Sequence, residues 1–132
     1  WVYSACGRCA SCQEGYENLC EQFRATGRDR NGGYAEYMVV PENSAFLIPD
    51  TFSAVEAAPL LCGGAIGYRS LRLTSLHNGQ PLGLMGFGAS GHMVLQLTKA
   101  LYPETKVVVF ARSASQRELA MKLGAFWAVD DI

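Results

Sequence analysis

The stretch that decides the fold is Leu82-Gly-Leu-Met-Gly86-Phe-Gly88-Ala-Ser-Gly91, where a short apolar run leads directly into a Gly-x-Gly-x-x-Gly pattern. The pattern alone is weak evidence, but here it follows a predicted buried strand (residues 82–87) and opens a predicted helix (about residues 90–102). In that setting, glycines allow a tight turn and close approach of a pyrophosphate, which the free N–H groups of the helix N-terminus bind. A tight turn without a ligand is the alternative. We predict a dinucleotide site with these cofactor-binding residues: Gly86, Gly88, Ala89, Ser90 and Gly91.

The sequence after this turn continues to alternate between strands and helices. Residues 106–111 form a continuous apolar run of the kind that is buried on both faces of a parallel sheet. Residues 114–123 predict a helix that ends before Gly124, a suitable residue just past a helix end. Residues 126–129 open a third strand. This βαβαβ order predicts half of a doubly wound parallel sheet.

The end of the second predicted strand bears on which dinucleotide binds. A site that prefers NAD usually has Asp or Glu about 20 residues after the last glycine, but residues 106–116 contain no acid. The strand ends instead at Arg112 and Ser113, and a guanidinium can bind a 2′-phosphate through paired hydrogen bonds. We therefore predict Arg112 and Ser113 as cofactor-binding residues and favour NADP over NAD. The alternative is a solvated arginine after a strand.

Four cysteines near the start of the chain follow the pattern Cys-x2-Cys-x2-Cys-x7-Cys. A structural zinc site needs four thiolates in one small loop, each about 2.3 Å from the ion. Bacterial ferredoxins share the two short gaps, but their next gap is three residues and leads to Cys-Pro. Disulfides between neighbours at this spacing would close small strained rings. We predict a zinc site and keep an iron–sulfur cluster or bare thiols as alternatives; the ligands are Cys6, Cys9, Cys12 and Cys20.

The first 33 residues predict a metal-fixed loop rather than regular structure, because they lack apolar periodicity. Residues 34–40 and 46–48 are apolar or β-branched and stop at prolines, so each predicts a strand. Ser53, followed three residues later by Glu56, is a capping box that predicts a helix to about Leu73. Each glycine inside a helix costs about 1 kcal/mol of helix stability relative to alanine. We therefore expect another backbone or a ligand to approach Gly63, Gly64 and Gly67 closely.

Composition limits the classes of protein. The chain has 132 residues, 49% of them hydrophobic, and a net charge of −1, which is typical of a globular protein and not of a nucleic-acid or anionic-membrane binder. Its apolar runs are strand-sized, far short of a membrane span. Five cysteines without a secretory signal favour a reducing cytoplasm. Because the chain starts without methionine, we expect it to be a piece of something longer.

Read together, these segments resemble the zinc-dependent medium-chain alcohol dehydrogenases, and the resemblance runs essentially end to end. Residues 6–20 look like the structural-zinc lobe of that family, and residues 31–37 look like the strand that follows it. Residues 58–68 are similar to the segment that carries the third ligand of the catalytic zinc. Residues 86–92 look like the coenzyme turn.

The resemblance implies an α/β fold. Residues 1–52 would be part of the catalytic, GroES-like β domain with its zinc loop, and residues 53–132 would be a linking helix and the first half of the NAD(P)-binding Rossmann domain. Cys62 would be a catalytic residue and a ligand of the catalytic zinc, beside a structural zinc on the four clustered cysteines. A small buried apolar cysteine is the alternative for Cys62. The other catalytic ligands of the family, a Cys and a His followed by Glu, would precede residue 1.

The function implied is hydride transfer between an alcohol, or an aldehyde or ketone, and NAD(P). The parent protein would be a cytoplasmic homo-dimer or homo-tetramer that acts on a small molecule, with no nucleic-acid or membrane partner, and this chain alone would be inactive. Two other functions stay open: a zinc-knuckle interaction module attached to a nucleotide-binding domain, and a zinc-free quinone-reductase-like enzyme on the same scaffold. His77 and His92 are expected to be surface or supporting residues rather than zinc ligands.

Overall fold

The computed structural model describes residues 2–130 and divides them into two compact units, one ending at Pro49 and the other beginning at Asp50. The first unit contains a two-stranded antiparallel sheet, and the second contains a three-stranded parallel sheet with helices. The α/β fold class is thereby confirmed. Within the described residues, no helix has the length and apolar character needed to cross a bilayer.

The first unit has little regular structure. Strand β1 (Tyr3–Ser4) pairs antiparallel with β2 (Arg24–Ala25), and between them lie helix α1 (Ala10–Gln13) and a 3-10 turn (Glu17–Leu19). Of residues 2–49, only Cys20 and Ser44 are buried. A unit this small with almost no apolar core depends on other cross-links for its stability.

The two strands predicted at residues 34–40 and 46–48 are wrong. The structure has irregular backbone in both segments, and their large apolar side chains, such as Tyr37, Val39 and Leu47, are exposed. The β-branched and aromatic residues predicted strands by composition, but a strand forms only where a neighbour completes its hydrogen-bond ladder. No described strand pairs with either segment.

The second unit begins with the predicted capping box, which is present. The Ser53 hydroxyl accepts a hydrogen bond from Glu56 N–H (3.3 Å), and the Glu56 carboxylate accepts one from Ser53 N–H (3.0 Å). Hydrogen bonds from the Ser53 hydroxyl and N–H lower the pKa of Glu56 below its usual range. The cap therefore fixes the start of the helical segment, as predicted.

The single helix predicted from this cap to Leu73 is instead three pieces: α2 (Ala54–Ala57), a 3-10 turn (Ala58–Leu61) and α3 (Gly63–Leu73). Pro59 explains the first break, since its nitrogen has no hydrogen to donate and its ring clashes with the preceding turn. Cys62 is the junction residue before α3, with φ −112° and ψ −69°. The break places this cysteine at a helix start rather than in a helix interior.

The rest of the second unit is the predicted βαβαβ. Its elements are β3 (Leu82–Met85), α4 (Ala89–Leu101), β4 (Val107–Phe110), α5 (Ala114–Lys122) and β5 (Trp127–Val129). The strands are parallel in the order β3-β4-β5. Seven buried side chains form the core: Phe87, Leu95, Val107, Val109, Ala111, Ala120 and Ala125.

Two details of this unit refine the predictions. Gly124 ends α5 with φ +90°, and the next N–H, that of Ala125, donates to Ala120 O (2.9 Å), the hydrogen bond of a glycine-terminated helix. Strand β3 was predicted to be buried along residues 82–87, but it ends at Met85, whose side chain is 65% exposed. Alternate residues of a strand face opposite sides of the sheet, and Met85 lies with Gly83 on the more exposed side of β3.

The glycines of α3 allow close contact with α4, but the nearest atoms belong to side chains rather than to the backbone or ligand that was expected. A Cβ at Gly67 would lie 2.7 Å from Val94 Cγ2, whereas a Cβ at Gly64 would have its nearest neighbour, Leu60 Cβ, at 3.4 Å. Valine in a helix is held to one strongly preferred rotamer. Val94 therefore cannot move aside cheaply, and Gly67 is the position where only glycine fits.

This difference gives a matched pair of substitutions. Gly67→Ala should destabilise the native polypeptide, meaning the whole gene product that contains these residues, by up to about 2 kcal/mol, because overpacking costs roughly 1–3 kcal/mol and the helix-propensity gain is about 1 kcal/mol. Gly64→Ala should be neutral or stabilising. Urea unfolding followed by circular dichroism measures both. Equal stability of the two variants would contradict this account of the α3–α4 contact.

Candidate metal centre and coenzyme site

The four clustered cysteines converge on one point. All four Sγ atoms lie within 4.8 Å of one another, with Cys6 and Cys12 at 3.9 Å and Cys9 and Cys12 at 3.4 Å. Four sulfurs at tetrahedral positions about 2.3 Å from one ion are about 3.8 Å apart. A cube of iron and sulfide would fill the centre and hold its thiolates farther apart. The spacing therefore fits a single tetrahedral ion such as zinc.

Local backbone geometry brings the sulfurs together. Gly7 has φ +69°, a left-handed conformation that turns the chain sharply after the first cysteine. Cys9 is the residue before α1, so one helical turn brings its side chain beside that of Cys12. Cys20 ends the 3-10 turn and is buried. The long gap in the sequence pattern is thus taken up by one short helix and one turn.

Backbone hydrogen bonds within the loop favour the thiolate form of Cys6, the form that metal binding requires. Cys9 N–H donates to Cys6 Sγ (3.4 Å), and Cys6 N–H donates to Cys20 Sγ (3.4 Å). Backbone N–H groups of Arg8 and Cys9 lower the pKa of the Cys6 thiol to about 6, while desolvation raises that of Cys12 to about 12. A bound cation deprotonates its thiol ligands outright. All five cysteines are free thiols, so the disulfide alternative is wrong.

The glycine turn lies between β3 and α4. Gly86 has φ +85°, and its N–H donates to Phe110 O (2.7 Å), which ties the turn to β4. A Cβ at Gly91 would lie 2.8 Å from Gly86 O, whereas one at Gly88 would meet nothing within 4 Å. Gly91 is therefore required by the turn itself, and Gly88 leaves open space beside it.

The open space is part of a cleft of about 440 Å³ between α3, β3 and the start of α4. His92 N–H donates the first helical hydrogen bond, to Gly88 O (3.1 Å). The N–H groups of Ala89, Ser90 and Gly91 precede it, in the turn where a helix has no internal acceptors for its donors. Free donors and the positive end of the helix dipole make this end of the cleft suited to a phosphate.

Cys62 lies near the same end of α4. It is exposed, contrary to the buried alternative, and the Cβ position of the adjacent Gly63 is 3.5 Å from Ser90 Oγ. Within residues 2–130, the only group of three or more Cys, His, Asp or Glu side chains close enough to share an ion is the clustered quartet. His77 is exposed and His92 is half-buried in the first turn of α4, and neither joins Cys62 in such a group.

The end of β4 carries the predicted specificity residues. Arg112 is exposed, and no hydrogen bond or ion pair of its side chain occurs among the described residues. Ser113 Oγ lies 2.8 Å from Ser115 Oγ, so a second hydroxyl joins the predicted one. The prediction did not include Arg117, which contacts the backbone of this strand end. An arginine near a helix start, where a positive charge is unfavourable, was the signal that could have found it.

The chain is similar to known proteins over part or nearly all of its length. Residues 1–50 match the family described as the alcohol dehydrogenase GroES-like domain. The Mycobacterium tuberculosis protein named "Probable alcohol dehydrogenase AdhA" is 48% identical over 130 residues, covering 98% of this chain and 37% of the relative.

Two solved structures have the same fold. A zinc-binding dehydrogenase from Sinorhizobium meliloti 1021 bound to NADP superposes with a TM-score of 0.84 at 36% identity, covering 98% of this chain and 37% of that one. The rspB alcohol dehydrogenase from E. coli CFT073, complexed with NADH, has a TM-score of 0.85 at 27% identity, covering 97% and 38%.

The cysteine lobe lies within the match to the alcohol dehydrogenase GroES-like domain, and the glycine turn lies in the region whose fold is shared with dehydrogenases solved with NADP and with NADH. Over nearly its whole length the chain is similar to alcohol dehydrogenases and to a zinc-binding dehydrogenase, and residues 1–50 match the alcohol dehydrogenase GroES-like domain. It spans little more than a third of the length of the relatives it matches.

Proposed function

We propose that the protein containing this chain is a zinc-dependent oxidoreductase that transfers hydride between an alcohol, or an aldehyde or ketone, and NADP. One observation carries the proposal: the exposed Cys62 precedes a helix that packs on the first turn of α4, beside the glycine turn. A metal ligand and a dinucleotide turn this close suit a reaction that needs both.

Each part of the chain has a role in this proposal. Residues 1–52 belong to the catalytic domain, whose quartet Cys6, Cys9, Cys12 and Cys20 holds a structural zinc. Residues 53–132 are the linking helix and the first half of the coenzyme domain. The N–H groups from Gly88 to Gly91 bind the pyrophosphate, and Arg112 with Ser113 binds the 2′-phosphate. These roles are supported by the sulfur distances, the open cleft and the free guanidinium.

Cys62 is proposed as the one ligand of the catalytic zinc that this chain supplies. When bound, zinc acts as a Lewis acid toward a substrate oxygen and the nicotinamide exchanges hydride. The chain orients these groups: Gly63 brings the cysteine backbone beside Ser90, and the break at Pro59 leaves the thiol exposed rather than packed inside a continuous helix. A thiolate at that point would hold the metal beside the first turn of α4.

The proposal is tested on the native polypeptide. We expect two zinc ions per chain by elemental analysis and alcohol-dependent reduction of NADP, followed by absorbance. Cys62→Ser should leave one ion and lower activity by more than about 100-fold, because even outer-shell partners of a metal cost 10–100-fold. One ion in the unaltered protein, without dehydrogenase activity, would favour the zinc-knuckle module. Activity in a protein free of zinc would favour the quinone-reductase-like alternative.

Coenzyme preference depends on Arg112. Replacing it with aspartate should lower the ratio of kcat/KM for NADP to that for NAD by roughly 100-fold, since hydrogen bonds to a charged group contribute about 1.5–3 kcal/mol and the new carboxylate repels the 2′-phosphate. Arg112→Gln is the control that removes the attraction without adding repulsion, and its effect should be smaller. An unchanged ratio in both variants would mean that Arg112 does not contact the coenzyme.

The proposal also includes the oligomeric state, the cellular location and the substrate class of the protein. The resemblance supports a homo-dimer or homo-tetramer, which sedimentation of the native polypeptide measures directly. The free thiols of all five cysteines support a reducing, cytoplasmic environment. A small-molecule alcohol or aldehyde is the proposed substrate, as the alcohol dehydrogenase relatives suggest.

A further inference from the structure

Arg117 is bound to the end of the strand that carries the specificity residues. Its Nη1 atom donates to two successive carbonyl oxygens, those of Ala111 and Arg112, each at 2.7 Å. The same atom lies 3.2 Å from Asp130 Oδ2, and Asp130 directly follows β5. One guanidinium therefore links the ends of two neighbouring strands.

The position of Arg117 is unfavourable by local rules. It lies early in α5, whose cap is Ser113, where the helix dipole disfavours a positive charge. Only about a quarter of the Arg117 side chain is exposed, so the guanidinium is partly withdrawn from water. Residues that break local preferences in this way often serve a site. The site nearest to Arg117 is the turn that begins at Arg112.

We propose that Arg117 is a positioning residue for coenzyme specificity, an inference that rests on the proposed function. By holding the Arg112 carbonyl, Arg117 fixes the backbone from which the Arg112 side chain extends toward the 2′-phosphate. Asp130 holds Arg117 in turn and offsets its charge. The two arginines therefore have different roles. The Arg112 side chain has no protein partner among residues 2–130 and is available to the 2′-phosphate, whereas Arg117 Nη1 is occupied by protein oxygens.

These different roles predict that loss of Arg117 weakens the binding of only the coenzyme that carries a 2′-phosphate. Without Arg117 the turn is free to take other conformations, so binding of the 2′-phosphate weakens. Binding of NAD, which has no such phosphate, stays as it was. A residue needed only for stability would lower the affinity for both coenzymes, and a residue that touched the phosphate itself would act independently of Arg112.

The test is a double-mutant cycle in the native polypeptide, with NADPH and NADH binding followed by fluorescence. Arg117→Met should weaken NADPH binding about tenfold and leave NADH binding nearly unchanged. In the Arg112→Gln background the same substitution should cost no further NADPH affinity, because coupled residues are not additive. Lys122→Met removes one charge from the exposed far end of α5 and should change neither affinity.

The outcomes separate this inference from the proposed function. Equal losses for both coenzymes, additive losses of the two arginines, or no loss at all would each overturn the positioning role while leaving the dehydrogenase proposal intact. If the unaltered protein binds neither coenzyme, the proposed function fails and this inference fails with it. If the unaltered protein binds NADH more tightly than NADPH, the NADP preference fails, and so does the role of Arg117 in it.

Discussion

Replacing Cys9 with serine is expected to remove one zinc ion per chain from the native polypeptide and to unfold residues 2–30. The four Sγ atoms lie within 4.8 Å of one another, so the loss of one thiolate leaves an incomplete tetrahedron. Structural zinc contributes roughly 10–16 kcal/mol of apparent binding energy in small zinc-dependent folds. Among residues 2–49, only Cys20 and Ser44 are buried, and these residues form no apolar core that could replace that energy.

Elemental analysis and limited proteolysis measure the two parts of this prediction. Cys62→Ser is the matched control, because it makes the same chemical change outside the quartet. It should also remove an ion, but the first 30 residues should remain resistant to protease. A Cys9→Ser protein that keeps its full zinc content and its protease resistance would show that the quartet is not a metal site.

The contrast between the two units explains how much of the fold the sequence could predict. The helices and strands from Leu82 to Val129 were predicted within a few residues, because each is marked locally by an apolar run, a glycine or a cap. Residues 34–40 and 46–48 were predicted wrongly as strands. Their composition favours extended structure, yet a strand depends on a partner that local sequence does not reveal.

Prediction of the site from the sequence was likewise limited to features that a local pattern marks. The quartet and the glycine turn were predictable, since their spacing is set by the chemistry of an ion and of a phosphate, and both spacings are short along the chain. The link from Arg117 to Asp130 joins residues on different elements, so no local pattern marks it. The break at Cys62 was missed for another reason: the capping box at Ser53 and the pattern up to Leu73 indicated one continuous helix.

Alanine substitutions at two glycines of the glycine turn, Gly91 and Gly88, should distinguish effects on stability from effects on coenzyme binding. Gly91→Ala should destabilise the coenzyme unit by about 1–3 kcal/mol, because the added methyl would lie 2.8 Å from Gly86 O. That oxygen cannot retreat easily, since Gly86 N–H is bonded to Phe110 O (2.7 Å) and its φ of +85° suits only glycine. NADPH binding should fall at least tenfold as the turn distorts.

Gly88→Ala is the matched control for that change. Its Cβ meets no protein atom within 4 Å, and its φ of −88° is open to any residue, so the fold should keep its thermal stability. The methyl would extend into the space that a pyrophosphate needs, however, and NADPH affinity should fall by roughly tenfold or more. Gly88→Ala with normal stability and normal NADPH affinity would place the phosphates elsewhere, and the proposed coenzyme site would be wrong. Loss of affinity without loss of stability at Gly88, beside loss of both at Gly91, would assign the first glycine to the ligand and the second to the turn.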